Sequence, residues 1–187
     1  RKGDPDQALY IYRKPKVDFS VYDKALIDPL IIWRERSSRL KKISNHDAQM
    51  LAGSLYNSLY KKLSEYYQMV TNPGKNVMRL TVALIDIKET SVSFGAMPSA
   101  LVTKKLSETL MDKPALVGEA SVELKVTDAA TGEILAAAVD RRLGSGKIQK
   151  AESPWEDVNN IFNYWANMIG YRLCFEFGRK NCAPPQK

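Results

Sequence analysis

Residues 117–144 read VGEASVELKVTDAATGEILAAAVDRRLG, and this stretch decides the fold class. Ala120, Val122, Leu124 and Val126 fall on one side of an extended chain, and Glu119, Ser121, Glu123, Lys125 and Thr127 on the other. An apolar and polar alternation of period two is the pattern of a strand with one covered and one wetter face. Asp128-Ala129-Ala130-Thr131-Gly132 then supplies a turn. Asp128 can bond the turn backbone, and Gly132 can adopt a left-handed conformation without a steric penalty. The return run, Ile134 to Val139, is apolar on both sides but small in its middle. Ala136, Ala137 and Ala138 leave room for a large element, expected to be a helix. Asp140, Arg141 and Arg142 are expected to end the strand at a wet edge.

Outward from this hairpin, two helices are legible. Ser44 is a candidate cap, with Asp47 three residues on. Leu51, Leu55, Leu59 and Leu63 then recur every fourth residue, flanked by Ala48, Ala52, Tyr56 and Tyr60, which makes an apolar helical stripe. Asn72-Pro73-Gly74 breaks the pattern. The second helix opens on Ser153-Pro154-Trp155-Glu156, with a capping Ser, Pro at the first helical position and a capping Glu. Val158, Ile161, Phe162, Trp165, Ile169 and Leu173 form its apolar face. Phe162 and Trp165 are expected to fill the space above the alanines. Gly178 suits the C-terminal cap.

Residues 21–33, VYDKALIDPLIIW, read as a long first strand, at an edge or with a bulge because Pro29 cannot donate to a ladder. Residues 77–88, VMRLTVALIDIK, are apolar on both faces and read as a central strand interrupted by Asp86. The element order is β-α-β-β-β-α. It predicts an α+β two-layer sandwich, a mostly antiparallel sheet with both helices on one face. Residues 1–20 are expected to be an extended N-terminal arm, with its aromatics turned inward and its lysines outward. Residues 21–178 form a single domain and residues 179–187 a tail. Residues 90–114 read as a short helix or a loop, the kind of excursion that often carries a partner surface.

Composition bounds the function classes. The chain has 187 residues, 44% apolar, with a formal net charge of +7, which describes a folded domain attracted to anionic partners. The densest basic run, residues 34–42, offers Arg34, Arg36, Arg39, Lys41 and Lys42 as candidate anion-binding groups, or as a solvated connector. Gly144-Ser145-Gly146-Lys147 lacks the glycine spacing of a phosphate loop. Cys174 and Cys182 flank Gly178. A helix end followed by a glycine turn brings such a pair within disulfide reach, and spacing alone leaves a bond and two free thiols equally open. With His46 far from both, a zinc site is not expected.

Three segments carry a family resemblance: YDKALIDP at residues 22–29, DAATGEILAAAVDRR at residues 128–142 and WEDVNNIFNYWA at residues 155–166. In this order and spacing the chain resembles an uncharacterised family of bacterial envelope lipoproteins, domain of unknown function 3313. The resemblance implies a signal peptide and a lipidated cysteine upstream of Arg1, and a place at the periplasmic face of the outer membrane. It brings no catalytic residues. An exported protein favours the disulfide, although Cys174 and Cys182 are not part of the family pattern.

The expectation is therefore a non-enzymatic envelope lipoprotein, a binding or scaffolding module without cofactor or metal. Its partner is expected to be another envelope protein, not nucleic acid. The alternative is an anion-binding protein working through residues 34–42. A hydrolase built on Asp86, Glu89 or Asp140 ranks last, because neither a nucleophile elbow nor a histidine cluster accompanies them.

Overall fold

A computed structural model describes residues 1–4, 7–34, 38–89, 118–144 and 155–184. Among these, the strands are β1 (Tyr10–Arg13), β2 (Lys24–Ile27), β3 (Ile31–Ile32), β4 (Gln68–Met69), β5 (Val77–Lys88), β6 (Glu119–Asp128) and β7 (Ile134–Leu143). The α-helices are α1 (Asn45–Leu63) and α2 (Glu156–Glu176). The sheet runs β1-β7-β6-β5-β2-β4, with β3 also paired to β5. Both helices lie on one face, as the α+β sandwich requires.

The sheet is mixed, and its two halves differ for a topological reason. From β5 through β6 and β7 to β1 every pairing is antiparallel. On the other side β2 and β3 run parallel to β5, and β4 parallel to β2. Parallel neighbours need a crossover, which α1 supplies between β3 and β5. The long first strand expected from the sequence breaks at Asp28-Pro29-Leu30. Its two pieces still follow β5: the Asp28 amide donates to the Leu80 carbonyl at 2.9 Å and the Trp33 amide to the Leu84 carbonyl at 2.8 Å.

The hairpin forms as its alternation predicts, with Ala120, Val122, Leu124 and Val126 buried. Asp128 holds the turn by accepting the Ala130 and Thr131 amides, each at 2.8 Å. Gly132 has φ +75°. The Tyr22 hydroxyl donates to Asp128 at 2.9 Å. Burial pushes the Asp128 carboxyl up, but the Thr131 amide, the Tyr22 hydroxyl and the Ala130 amide outweigh it and hold it below its ordinary value. Burial and the neighbouring carboxylate push the Tyr22 phenol up to about 12. The return strand continues to Leu143, so Asp140 is an interior residue of β7 rather than its wet end.

Helix α1 begins as read. Ser44 accepts the Asp47 amide at 3.0 Å and donates to the Asp47 carboxylate at 2.7 Å. Leu51, Leu55, Leu59 and Leu63 are each at most 1% exposed. Helix α2 starts later than expected. Trp155 occupies the N-cap without a side-chain cap bond, and Glu156 and Asp157 fill the first turn. Ser153 and Pro154 lie outside the described residues. The helices meet through Ser54 on Asn159 (2.7 Å) and Ser58 on Asn163 (2.9 Å).

The end of α2 is a glycine-terminated turn. Gly178, at φ +68°, lets the Arg179 amide reach the Cys174 carbonyl at 2.9 Å and its own amide the Phe175 carbonyl at 3.2 Å. The reversal brings Cys182 back to Cys174, and the two form a disulfide with Cα atoms 5.7 Å apart. Phe177 seats this end in the core, with its ring 4.7 Å from Phe19. The Tyr67 hydroxyl donates to the Leu173 carbonyl at 2.9 Å, and burial pushes that phenol up to about 12.

Candidate functional site

The alanine run of β7 is not filled by α2. A cavity of about 460 Å3 lies between the antiparallel half of the sheet and the helix. Val122, Leu124 and Val126 of β6 and Ala136 and Ala138 of β7 form its floor; Trp165, Met168, Ile169 and Leu173 of α2 form its roof; Ile11 and Phe19 close a side. The register explains why these residues converge. Ala136 pairs with Val126, Ala138 with Leu124 and Asp140 with Val122, so all of them point toward the helices. On β1, Ile11 pairs with Ala138 and Arg13 with Ala136, on the same face.

Asp140 lines the cavity beside Trp165 and is hydrogen-bonded to it. It is 7% exposed. It accepts the Trp165 indole Nε1 at 2.8 Å, the Leu9 amide at 3.2 Å and Arg142 Nε at 3.0 Å. The indole is thereby tied to β7 two residues beyond Ala138, and Phe162, 6.1 Å from it, is fully buried in the core. A buried carboxylate with three donors is well satisfied. Neither this pair nor the cavity was found from the sequence; the one available signal was a run of three alanines followed by Asp-Arg-Arg.

The polar lining is mainly cationic. Arg1, Arg13, Arg142 and Arg172 line the cavity against two carboxylates, Asp140 and Glu176. Arg13 on β1 bridges to Glu176 on α2 at 2.8 Å, an exposed pair worth at most about 1 kcal/mol. The Arg142 guanidinium lies flat on Tyr164, 3.8 Å from the ring centroid, which together with Asp140 sets its orientation.

A second polar cluster lies on the opposite, open face. Asp86 pairs with Ser121, and Ser121 with Arg141, so these three share a face that excludes Val122 and Asp140. Arg39 Nε donates to Asp86 at 2.8 Å and its Nη1 to Glu119 at 3.1 Å; Arg141 also donates to Glu119. Burial pushes the Glu119 carboxyl up, but Arg39 and Arg141 together hold it below its ordinary value. Asp86 and Asp140 thus stand on opposite faces, each engaged by its own donors, and form no shared dyad. Glu89 is exposed beyond the end of β5.

The described residues of the basic connector differ in their engagement. Arg39 is committed to Asp86 and Glu119. Arg34, Lys41 and Lys42 are exposed, and Arg36 lies outside the described residues, as does the 90–114 segment. Of the aromatics of the N-terminal segment, Phe19 faces inward and is buried, whereas Tyr10 and Tyr12 face outward. Tyr10 and Tyr12 are 60% and 49% exposed, because pairing with Val139 and Ala137 puts them on the open face. There they form an exposed apolar strip with Val139. Among the described residues no group of His, Cys, Asp and Glu is placed to hold a metal, and no helix is long and apolar enough to cross a membrane.

The model of a family described as a protein of unknown function (DUF3313) matches residues 1–169. No curated protein matches the sequence. Among solved structures, the chain is similar to a PelC dodecamer from Paraburkholderia phytofirmans, at 8% identity and TM-score 0.45, covering 92% of this chain and 97% of that one. It is also similar to a putative neuraminyllactose-binding hemagglutinin homolog from Helicobacter pylori (13%, TM-score 0.45, 84% and 88%). A third is a minor lipoprotein from Acinetobacter baumannii (10%, TM-score 0.37, 83% and 95%).

Proposed function

The chain belongs to the DUF3313 family of proteins of unknown function, and from that membership we propose that it is a non-enzymatic binding module of the bacterial cell envelope. On this reading it is held at the periplasmic face of the outer membrane by a lipid anchor upstream of Arg1. The observation that carries the binding role is the cavity over Ala136 and Ala138. Its size falls within the range of about 300–1,000 Å3 that small-molecule sites occupy. A core is ordinarily packed to the density of an organic crystal, so a hollow of this size opposite a well-packed half has a use. The disulfide between Cys174 and Cys182 supports an oxidising compartment. The exposed strip of Tyr10, Tyr12 and Val139 supports a protein partner in the same envelope.

Fractionation of cells expressing the full-length protein tests the compartment. The expected result is recovery with the membranes, with both cysteines protected from maleimide until a reductant is added. Recovery in the cytosol with two reactive thiols would overturn it. The anion-binding alternative predicts salt-sensitive retention on heparin; the commitment of Arg39 to Asp86 and Glu119 argues against it.

A further inference from the structure

The binding role proposed for the cavity leaves its ligand open, and the chemistry of the lining narrows it. The lining is mostly Ala, Val, Leu, Ile, Met and Phe side chains, with Gln7, Tyr12 and Tyr164 as its neutral polar side chains besides Trp165, so most of the surface has no donor or acceptor for a polar ligand. The indole N–H of Trp165 in the roof is spent on Asp140 at 2.8 Å. What such an interior solvates is an alkyl chain, whose transfer from water gains about 0.8 kcal/mol per methylene. The charged residues are Arg1, Arg13, Arg142 and Arg172 against Asp140 and Glu176, an excess of positive charge at the margin of an apolar hollow. Asp140 is already saturated by three donors. Arg142 is oriented by Tyr164 and meets the Asp140 carboxylate through its Nε. Arg13 meets Glu176 across the cavity, from β1 to α2, in a solvent-exposed pair that a ligand anion can exchange with.

From this combination we infer that the cavity binds an anionic amphiphile, with an alkyl tail over Ala136 and Ala138 and its acidic head at Arg142 and Arg13. This rests on the cavity being a binding site at all. The head is a carboxylate or a phosphate, since a guanidinium pairs with both in the same forked geometry.

The test is titration of the protein with dodecanoate, lysophosphatidylglycerol and dodecyl maltoside below their micelle concentrations, read by native mass spectrometry and, in a Trp33→Phe, Trp155→Phe background that leaves one tryptophan, by the fluorescence of Trp165. One molecule of dodecanoate or lysophosphatidylglycerol is expected per chain, at least tenfold tighter than the neutral maltoside. Whichever of the two binds tighter identifies a free fatty acid or a lysolipid as the source. Arg142→Gln is expected to weaken the anionic ligands roughly tenfold, the loss of one charged hydrogen bond, and to leave the maltoside unchanged. Ala138→Leu, which fills the floor, is expected to weaken all three. Thermal melts within a few degrees of wild type confirm that both variants fold. Equal binding of maltoside and dodecanoate, with no effect of Arg142→Gln, would overturn the anionic inference and leave the binding role intact. No binding of any of the three, with Trp165 emission unmoved, would remove both.

Discussion

The helix-covered face of the sheet is built in two ways. Under α1, four leucines at four-residue spacing, Leu51, Leu55, Leu59 and Leu63, meet Met78, Leu80 and Leu84 of β5, and all seven side chains are at most 1% exposed. Under the outer part of α2, the strand offers Ala136 and Ala138, and a cavity of about 460 Å3 remains. The two halves share a sheet, a face and a helix pair. They differ in side-chain volume on the strand and in a buried carboxylate that is hydrogen-bonded to the largest roof residue. The first half carries stability, and the second half is free to carry specificity.

Substitutions separate the halves. Leu59→Ala in the packed half should cost about 2–5 kcal/mol, the usual range for a buried leucine, measured by urea unfolding; a cost under about 1 kcal/mol would mean that this half is no tighter than the other. Opening the disulfide, by Cys174→Ser with Cys182→Ser, should cost about 2.5 kcal/mol if loop closure governs it. This change frees the tail that holds Phe177 beside the cavity, so it should also broaden the signals of Leu173 and Phe177 in NMR spectra while sparing those of α1.

A smaller effect concerns acid. Against the upward push of burial, Arg39 and Arg141 hold the Glu119 carboxyl below its ordinary value in the folded protein. A depressed carboxyl contributes stability above its unfolded value, and loses that contribution as pH falls through the folded one. Urea midpoints compared between about pH 5.5 and about pH 3 should fall less in Glu119→Gln than in wild type. Equal falls would show that the Arg39–Glu119–Arg141 cluster does not tie β6 to its neighbours. The smallest effect is expected from Ala138→Leu, within about 1 kcal/mol of wild type, because the added methyl groups enter a hollow. A loss of about 1–3 kcal/mol, the usual overpacking cost, would mean that the hollow is closed to side chains.

Much of this was legible in the chain. Strict alternation over residues 119–127 and the leucine period of α1 each specify an element locally, and both formed as read. So did the Ser44 cap and the Gly178 turn, whose reversal joins Cys174 to Cys182. The split of the first strand follows from Pro29, although the chain alone did not say that both pieces would run parallel to β5. The alanine run was legible as a seat, but not as one left empty.

Periodicity, caps and turn residues are properties of a few neighbouring positions, so the sequence by itself determined both helices, the central strand and the hairpin, their order, and the buried faces of α1 and β6. The Asp140–Trp165 bond and the Arg39–Glu119–Arg141 cluster join residues 22 to 80 positions apart, and the cavity brings Ile11 of β1 to Leu173 of α2. Their existence depends on strand register and on where a helix lands, and only the tertiary structure decided those. A buried carboxylate that looks like a wet strand end in the chain becomes, once β7 is in register with Val122, the acceptor of the Trp165 indole in the wall of a hollow.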